Sequence, residues 1–360
     1  MSDFDFDILG INYRGEPYNH KDSPYYKFRN LTIYPASNEG DILGREKLFR
    51  LLEQGNYDTL FIIQDIFNIY SILPRLRELR LKKRFKIVFY FPIDGKPKEK
   101  WLEVLDFVDQ PISYTNWSNT QLKRPNPVIY HGVEKLFKRL PLKDVKAFRK
   151  SYFGVGNDTT IITNVNRNQP RKDLLKTILA FNLFQTYNPK SILYLHCNPK
   201  DGAGVDLQEL IRHNFPHLTK KILFPTSILT REQLNQVYNA SDMVVSTTLG
   251  EGFGLSTIEA MVTETPVILP NNTTASELLG NGKRGFLVAS GNNWSNFMVQ
   301  NNDNEIIRPT VDVNDLVKQM LRVSDKKNKS KVKKITKEAS KWVRENCDWD
   351  KIALQWKEYL

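Results

Sequence analysis

Residues 242–288 read DMVVSTTLGEGFGLSTIEAMVTETPVILPNNTTASELLGNGKRGFLV, and the way this stretch hands an apolar strand over to a helix decides the fold. Val244 and Val245 belong to the strand, Gly250, Gly252 and Gly254 to the loop, and a helical pattern starts near Leu255. At such a junction the unpaired N–H groups of the first turn and the positive end of the helix dipole converge, so an anion fits there. The glycines let a ligand approach the backbone closely. Glu251 before the helix and Glu259 inside it are acceptors, suited to hydroxyls rather than to the anion itself. Phosphate together with hydroxyls suggests a nucleotide sugar. A plainer reading stands beside this one: a tight βα turn, a solvated Glu251, and a Glu259 that only favours helix.

The whole string closely resembles the signature of retaining glycosyltransferases of the GT-B fold, the family 4 type (glycosyl transferases group 1). In that signature E-G-F-G-L-x-x-x-E-A-M is followed by P-V and a further glutamate. The matching positions are Glu251, Gly252, Phe253, Gly254, Leu255, Glu259, Ala260, Met261, Pro266, Val267 and Glu277. The resemblance implies an α/β fold of two Rossmann-like domains facing a cleft, and transfer of a sugar from a nucleoside-diphosphate sugar with retention at the anomeric carbon.

A second segment, ITNVNRNQPRKDLLKTILAF at 162–181, places Arg167 and Lys172 at another strand-to-helix junction. Cations there oppose the helix dipole unless an anion intervenes. The segment resembles the family's G-R-x-x-x-x-K-G element, whose arginine and lysine hold the donor diphosphate, with Asn166 and Asp173 in place of the two glycines. By resemblance the donor site comprises Arg167, Lys172, Gly252, Phe253, Gly254, Leu255, Glu259 and Glu277. Glu259 would accept from the ribose diol, Glu251 would orient the transferred sugar, and Leu223 to Thr226 would line the base pocket. Relatives often carry a histidine after the strand that matches 86–91, where this chain has Asp94. That residue either orients the acceptor or supports charge at the anomeric carbon, or it only makes a turn with Gly95. No D-x-D pair is placed to hold a metal, so the expected site has no metal and no cofactor beyond the donor itself.

Composition agrees with this reading. The chain has 360 residues, 40% of them hydrophobic, enough for two domains of ordinary size. Its longest apolar runs are far too short to span a bilayer, and MSDFDFD is acidic where a signal peptide is basic. A cytoplasmic protein is therefore expected, with Cys197 and Cys347 as reduced, structural thiols. The net charge of +12 calls for an acidic partner: nucleotide phosphate, anionic lipid or nucleic acid. Nucleic acid is disfavoured, because the aromatics do not interleave with the basic residues in any RNA-binding motif. A basic helix near 69–83, with Arg75, Arg77, Arg80, Lys82 and Lys83, reads mainly as a solvated face, with peripheral membrane association as the minor alternative.

Strands at 6–13, 31–35, 59–65 and 86–92 alternate with helices at 42–54 and 69–83, which implies a parallel sheet. In the second half, strands at 159–165, 191–197, 221–225, 242–247, 266–269 and 285–288 alternate with helices near 171–186, 206–214, 230–239, 254–263 and 275–280. Residues 290–305 read as a polar loop, and the lysine cluster 326–334 as the start of a terminal helix. The expected domains are 1–137, an abbreviated acceptor-side domain without the family's first strand, glycine-rich loop and helix; 138–340, the donor domain; and 341–360, a helix that in the family crosses back, with Trp349 and Trp356 at the seam. The missing loop keeps a second function in play, a nucleotide-sugar-binding or interaction protein without catalysis. His131 sits in a stretch that resembles the family's interdomain linker, and a turn role is favoured over a catalytic one.

Overall fold

The computed structural model describes residues 4–11, 25–36 and 41–360. Its contacts divide the chain into two units, one of Met1–Tyr90, Glu99–Pro111 and Lys357–Leu360, the other of Phe91–Lys98 and Ile112–Trp356. The sequence placed the first boundary after Phe137 and a separate piece at 341–360. The contact division instead groups 91–98 and 112–137 with the larger unit and assigns only 357–360 of the last stretch to the smaller.

The first unit contains β1 (Phe6–Gly10), β2 (Tyr26–Phe28), β3 (Leu31–Pro35), α1 (Arg45–Gln54), β4 (Thr59–Ile63), α2 (Ile66–Lys82) and α3 (Glu103–Phe107), with most of β5 (Lys86–Phe91) and the start of β6 (Gln110–Ser113). These strands form two three-stranded sheets, β1-β3-β2 and β4-β5-β6. The end of the expected strand 6–13 lies outside the described residues. Helix α2 starts three residues before its expected position and runs through Pro74. Its cations are engaged locally: Arg75 with Glu46 and Glu53, Arg77 with Glu103, Arg80 with Asp109, Lys82 with Glu78. Lys86 donates to the carbonyl of Tyr359, which fastens the last residues to this unit.

The larger unit continues with α4 (Asn116–Leu122), α5 (Leu142–Tyr152), β7 (Thr160–Val165), α6 (Leu174–Tyr187), β8 (Ser191–His196), α7 (Leu207–Asn214), β9 (Ile222–Leu223), α8 (Arg231–Ala240), β10 (Met243–Val245), α9 (Leu255–Val262), β11 (Val267–Pro270), α10 (Ala275–Leu278) and β12 (Phe286–Val288). It ends with β13 (Phe297–Val299), β14 (Ile307–Pro309), α11 (Val313–Ser324), α12 (Lys329–Asn346) and α13 (Trp349–Trp356). Six strands form one parallel sheet in the order β12-β11-β10-β7-β8-β9. From β7 the chain adds β8 and β9 on one side and then returns to add β10, β11 and β12 on the other. The order reverses between β7 and β10, which opens a crevice at their carboxyl ends, the place where such sheets bind ligands.

Helices cover both faces, as a parallel sheet requires. The main core gathers Ile162, Ile178, Phe181, Phe184, Leu193 and Leu195 with Leu316 and Met320 of α11. The buried face of α6 runs through Leu174, Ile178 and Phe181, and Leu175 is exposed. Thr230 and Gln233 form a capping box at the start of α8. Residues 290–305 are not simply a loop: β13 lies there and pairs antiparallel with β14. Strands of three residues are too short for alternation to reveal. Both cysteines are buried and free, as expected. No helix among the described residues is long and apolar enough to cross a membrane.

Candidate active site

Two loops meet at the crevice. After β7 the chain passes Asn166 and Arg167, makes a 3-10 turn over Pro170–Lys172, and enters α6 through Asp173. After β10 it runs from Ser246 to Gly254 and enters α9. Leu249 donates its backbone N–H to the carbonyl of Arg171 at 2.8 Å, and the Thr247 hydroxyl donates to the carbonyls of Lys172 and Asp173. The loops are thus fixed to each other before any ligand arrives. Gly254 stands at φ 105°, a conformation disfavoured for residues with a Cβ. A side chain at Gly250 would collide with the carbonyl of Asp94.

Side chains from both loops converge. Lys172, almost fully buried, donates to Glu251, and burial pushes its pKa down while that carboxylate pulls it up. Arg171 donates to the Gly250 carbonyl and lies 3.6 Å from Glu251 and 3.5 Å from Asp94. Arg308 of β14, only 3% exposed, donates to the carbonyl of Asp94, reaches its carboxylate at 3.3 Å, and grips Asp303 with two bonds of 2.7 and 2.8 Å. The result is a network of three cations, Arg171, Lys172 and Arg308, and three carboxylates, Asp94, Glu251 and Asp303.

At the start of α9 the N–H of Glu251 is taken by the Thr273 hydroxyl at 3.0 Å. Among the described residues, the N–H groups of Phe253, Gly254 and Leu255 donate to no protein acceptor, so they remain available to an anion. A small cleft of about 10 Å³ lies there and is lined by Ser246, Thr248, Glu251, Phe253, Asn272 and Thr273.

Glu259, 6% exposed, accepts from Arg231 and from the Tyr238 hydroxyl, both at 2.8 Å. Burial raises its pKa against the pull of these two partners. The remaining lone pairs of its oxygens can still accept from a diol.

The structure brings Lys172, Glu251 and Asp94 together and sets other candidates apart. Arg167 is exposed and held by Asp201 through two bonds of 2.7 and 2.9 Å, which draws the Asp201 pKa down to about 2. Glu277 caps α4, accepting from the N–H groups of Asn116 and Trp117 and from the Tyr130 hydroxyl at 2.6 Å. Phe253 is buried and meets the edge of His131. His131 also packs against Tyr114, and burial lowers its pKa to about 4, so it is neutral at physiological pH. Leu255 is exposed.

Sequence reading missed Arg171 and Arg308. Arg171 could have been found as the immediate neighbour of Lys172. Arg308 carries no local signal, because its partner Asp94 lies 214 positions away.

Known proteins resemble this chain in sequence and in fold. Residues 147–300 match the family model described as Glycosyl transferases group 1. A probable sucrose-phosphate synthase of Thermosipho melanesiensis is 26% identical over 199 residues, covering 54% of this chain and 39% of that protein. The capsular polysaccharide biosynthesis glycosyltransferase CapM of Staphylococcus aureus is 28% identical over 159 residues, 43% of this chain and 39% of that one. The matches therefore span about two fifths of the length of these relatives. Among solved structures, sucrose-phosphate synthase of Thermosynechococcus elongatus superposes with a TM-score of 0.73 at 19% identity, over 98% of this chain and 87% of that one. HepE of Anabaena, in complex with UDP and glucose, gives 0.66 at 18% identity, over 91% and 85%. The α/β fold with parallel sheets is thus that of the GT-B glycosyltransferases.

Proposed function

Residues 147–300 form a glycosyl transferases group 1 domain, and from this premise we propose that the protein is a retaining, metal-independent glycosyltransferase that uses a nucleoside-diphosphate sugar. The observation that carries the reading is the convergence of Lys172, Arg171 and Glu251 beside the free N–H groups of Phe253 and Gly254, at the crevice where the strand order reverses. In transfer, the bond from the anomeric carbon to the diphosphate breaks, a bond to an acceptor hydroxyl oxygen forms on the same face, and the hydroxyl's proton passes to the departing diphosphate. Negative charge grows on the departing diphosphate. Lys172, Arg171 and the two N–H groups neutralise it from fixed positions. Glu251 orients the hydroxyls of the transferred sugar, Glu259 accepts from the ribose diol, and Asp94, held by Arg308, faces the reacting sugar or its acceptor. UDP is the first nucleotide to test, since HepE, which shares the fold, binds it.

A thermal-shift comparison of UDP, GDP and ADP, with Glu259→Ala beside the parent, tests the donor site. A hundredfold excess of the right nucleotide over its dissociation constant stabilises the parent by about 2.7 kcal/mol and the variant far less. If none of the three shifts the parent, the donor site is misread. Glu251→Gln is expected to bind nucleotide normally and to lose transfer.

A second reading, nucleotide-sugar binding without transfer, draws support from the pairing of Arg167 with Asp201, which keeps the arginine expected at the diphosphate away from the cluster. Release of nucleotide from the sugar donor, even slow release to water, decides for the enzyme. Peripheral docking on a membrane from the cytoplasmic side has less support, because the cations of α2 are spent on local carboxylates. Flotation with anionic vesicles tests it.

A further inference from the structure

We propose that the hairpin built by β13 and β14 is a carbohydrate-binding subsite, with Trp294 as its stacking platform, that holds the glycan chain of an acceptor. The inference rests on the transferase reading and gives its acceptor a chemical class.

The two faces of the hairpin differ. In the observed register Met298 lies opposite Arg308 and Val299 opposite Ile307. Arg308 turns inward to Asp94, and Ile306 comes against Gly95, so this face is fastened to the loop that carries Asp94. Alternation sends Phe297, Val299 and Ile307 to the other face, where they are 40%, 56% and 68% exposed. Trp294, just before β13, is 96% exposed. Both faces of so open an indole are free to be stacked upon, and the apolar face of a sugar ring can do so while its hydroxyls remain free for hydrogen bonds.

The surrounding chemistry selects the occupant. Residues 290–307 contain Asp303 and Glu305 but no lysine or arginine, within a chain of net charge +12. Lys98 reaches this stretch but is paired with Glu305, and Arg308 is buried against Asp303 and Asp94, so an anionic bilayer or a nucleic acid finds little counter-charge there. The side chains of Asn301 and Asn302 at the tip make no hydrogen bond among the described residues and offer both donors and acceptors. A neutral, hydroxyl-rich chain matches an uncharged aromatic and amide surface that is anchored through Arg308 to the cluster at Asp94.

The test is native affinity electrophoresis of the full chain through gels containing dextran, soluble starch or mannan, with Trp294→Ala beside the parent. At least one polysaccharide is expected to retard the parent, and the variant should lose about tenfold in affinity while keeping the parent's melting temperature and its UDP-induced thermal shift. Absence of retardation in all three gels, or equal retardation of the variant, overturns the proposal. So does Trp294-dependent flotation with phosphatidylglycerol vesicles or Trp294-dependent dimerisation in sedimentation, either of which would assign this face to a bilayer or a second copy. A missing nucleotide shift with retardation intact would instead count against the transferase reading alone.

Discussion

Asp173 stands where the family resemblance puts a glycine, and it adopts the glycine's conformation, φ 46° and ψ 49°. Aspartate tolerates that left-handed region better than most residues. Its carboxyl is buried nonetheless, with Oδ2 unpartnered, and burial lifts its pKa from 3.8 to about 6. An acid whose folded pKa is raised weakens the fold as it ionises. The penalty is absent below pH 3.8, where the group is protonated in both states, and complete above the folded value near 6. Asp173→Gly is therefore expected to raise stability by about 2 kcal/mol at pH 8, with the gain fading towards pH 4; urea unfolding at the two pH values measures it. The sequence showed that a glycine was replaced, but not that the replacement kept the backbone and buried a charge.

At the scale of elements, the regular βα units of the larger unit were legible because each strand is a short apolar run and each helix has its own cap or period. The strand-to-helix loops were legible too, down to Lys172 and Glu251, since glycines and charges mark them locally. What escaped were elements whose reason is distant. The hairpin of β13 and β14 is such a case, for Arg308 holds Asp303 in the hairpin's own connecting loop and ties it to Asp94, 214 positions away. Arg308→Ala leaves these carboxylates without their buried cation, and a loss of about 3 kcal/mol is expected in denaturant unfolding. Arg308→Lys should recover only part of it, because an ammonium cannot grip Asp303 with two parallel bonds. Equal stability of all three proteins would show the ion pairs to be incidental. Likewise Arg167 looked like a donor ligand from its spacing, whereas the structure pairs it with Asp201 on the loop after β8, a contact that spacing along the chain cannot register.

Over the whole molecule, burial governs the two thiols. Cys197 and Cys347 are both raised to about 12 by desolvation, so neither forms appreciable thiolate near neutrality. A thiol reagent at pH 8 is expected to leave the native protein unlabelled and to modify both cysteines once urea unfolds it; rapid labelling of either one would reveal local opening. The division of the chain was the least legible property, since it depends on which surfaces meet rather than on any local pattern. The main chain passes from one unit to the other at 90/91, 98/99, 111/112 and 356/357. Neither unit is consequently a single continuous segment that a gene truncation could excise. A fragment beginning at residue 138 would retain Arg171, Lys172, Glu251 and Arg308 but discard Asp94, and two of the three cations would lose a partner. Dissection, domain exchange and fusion at the interdomain linker all meet the same obstacle, because the cluster is spliced together from stretches on both sides of the cut.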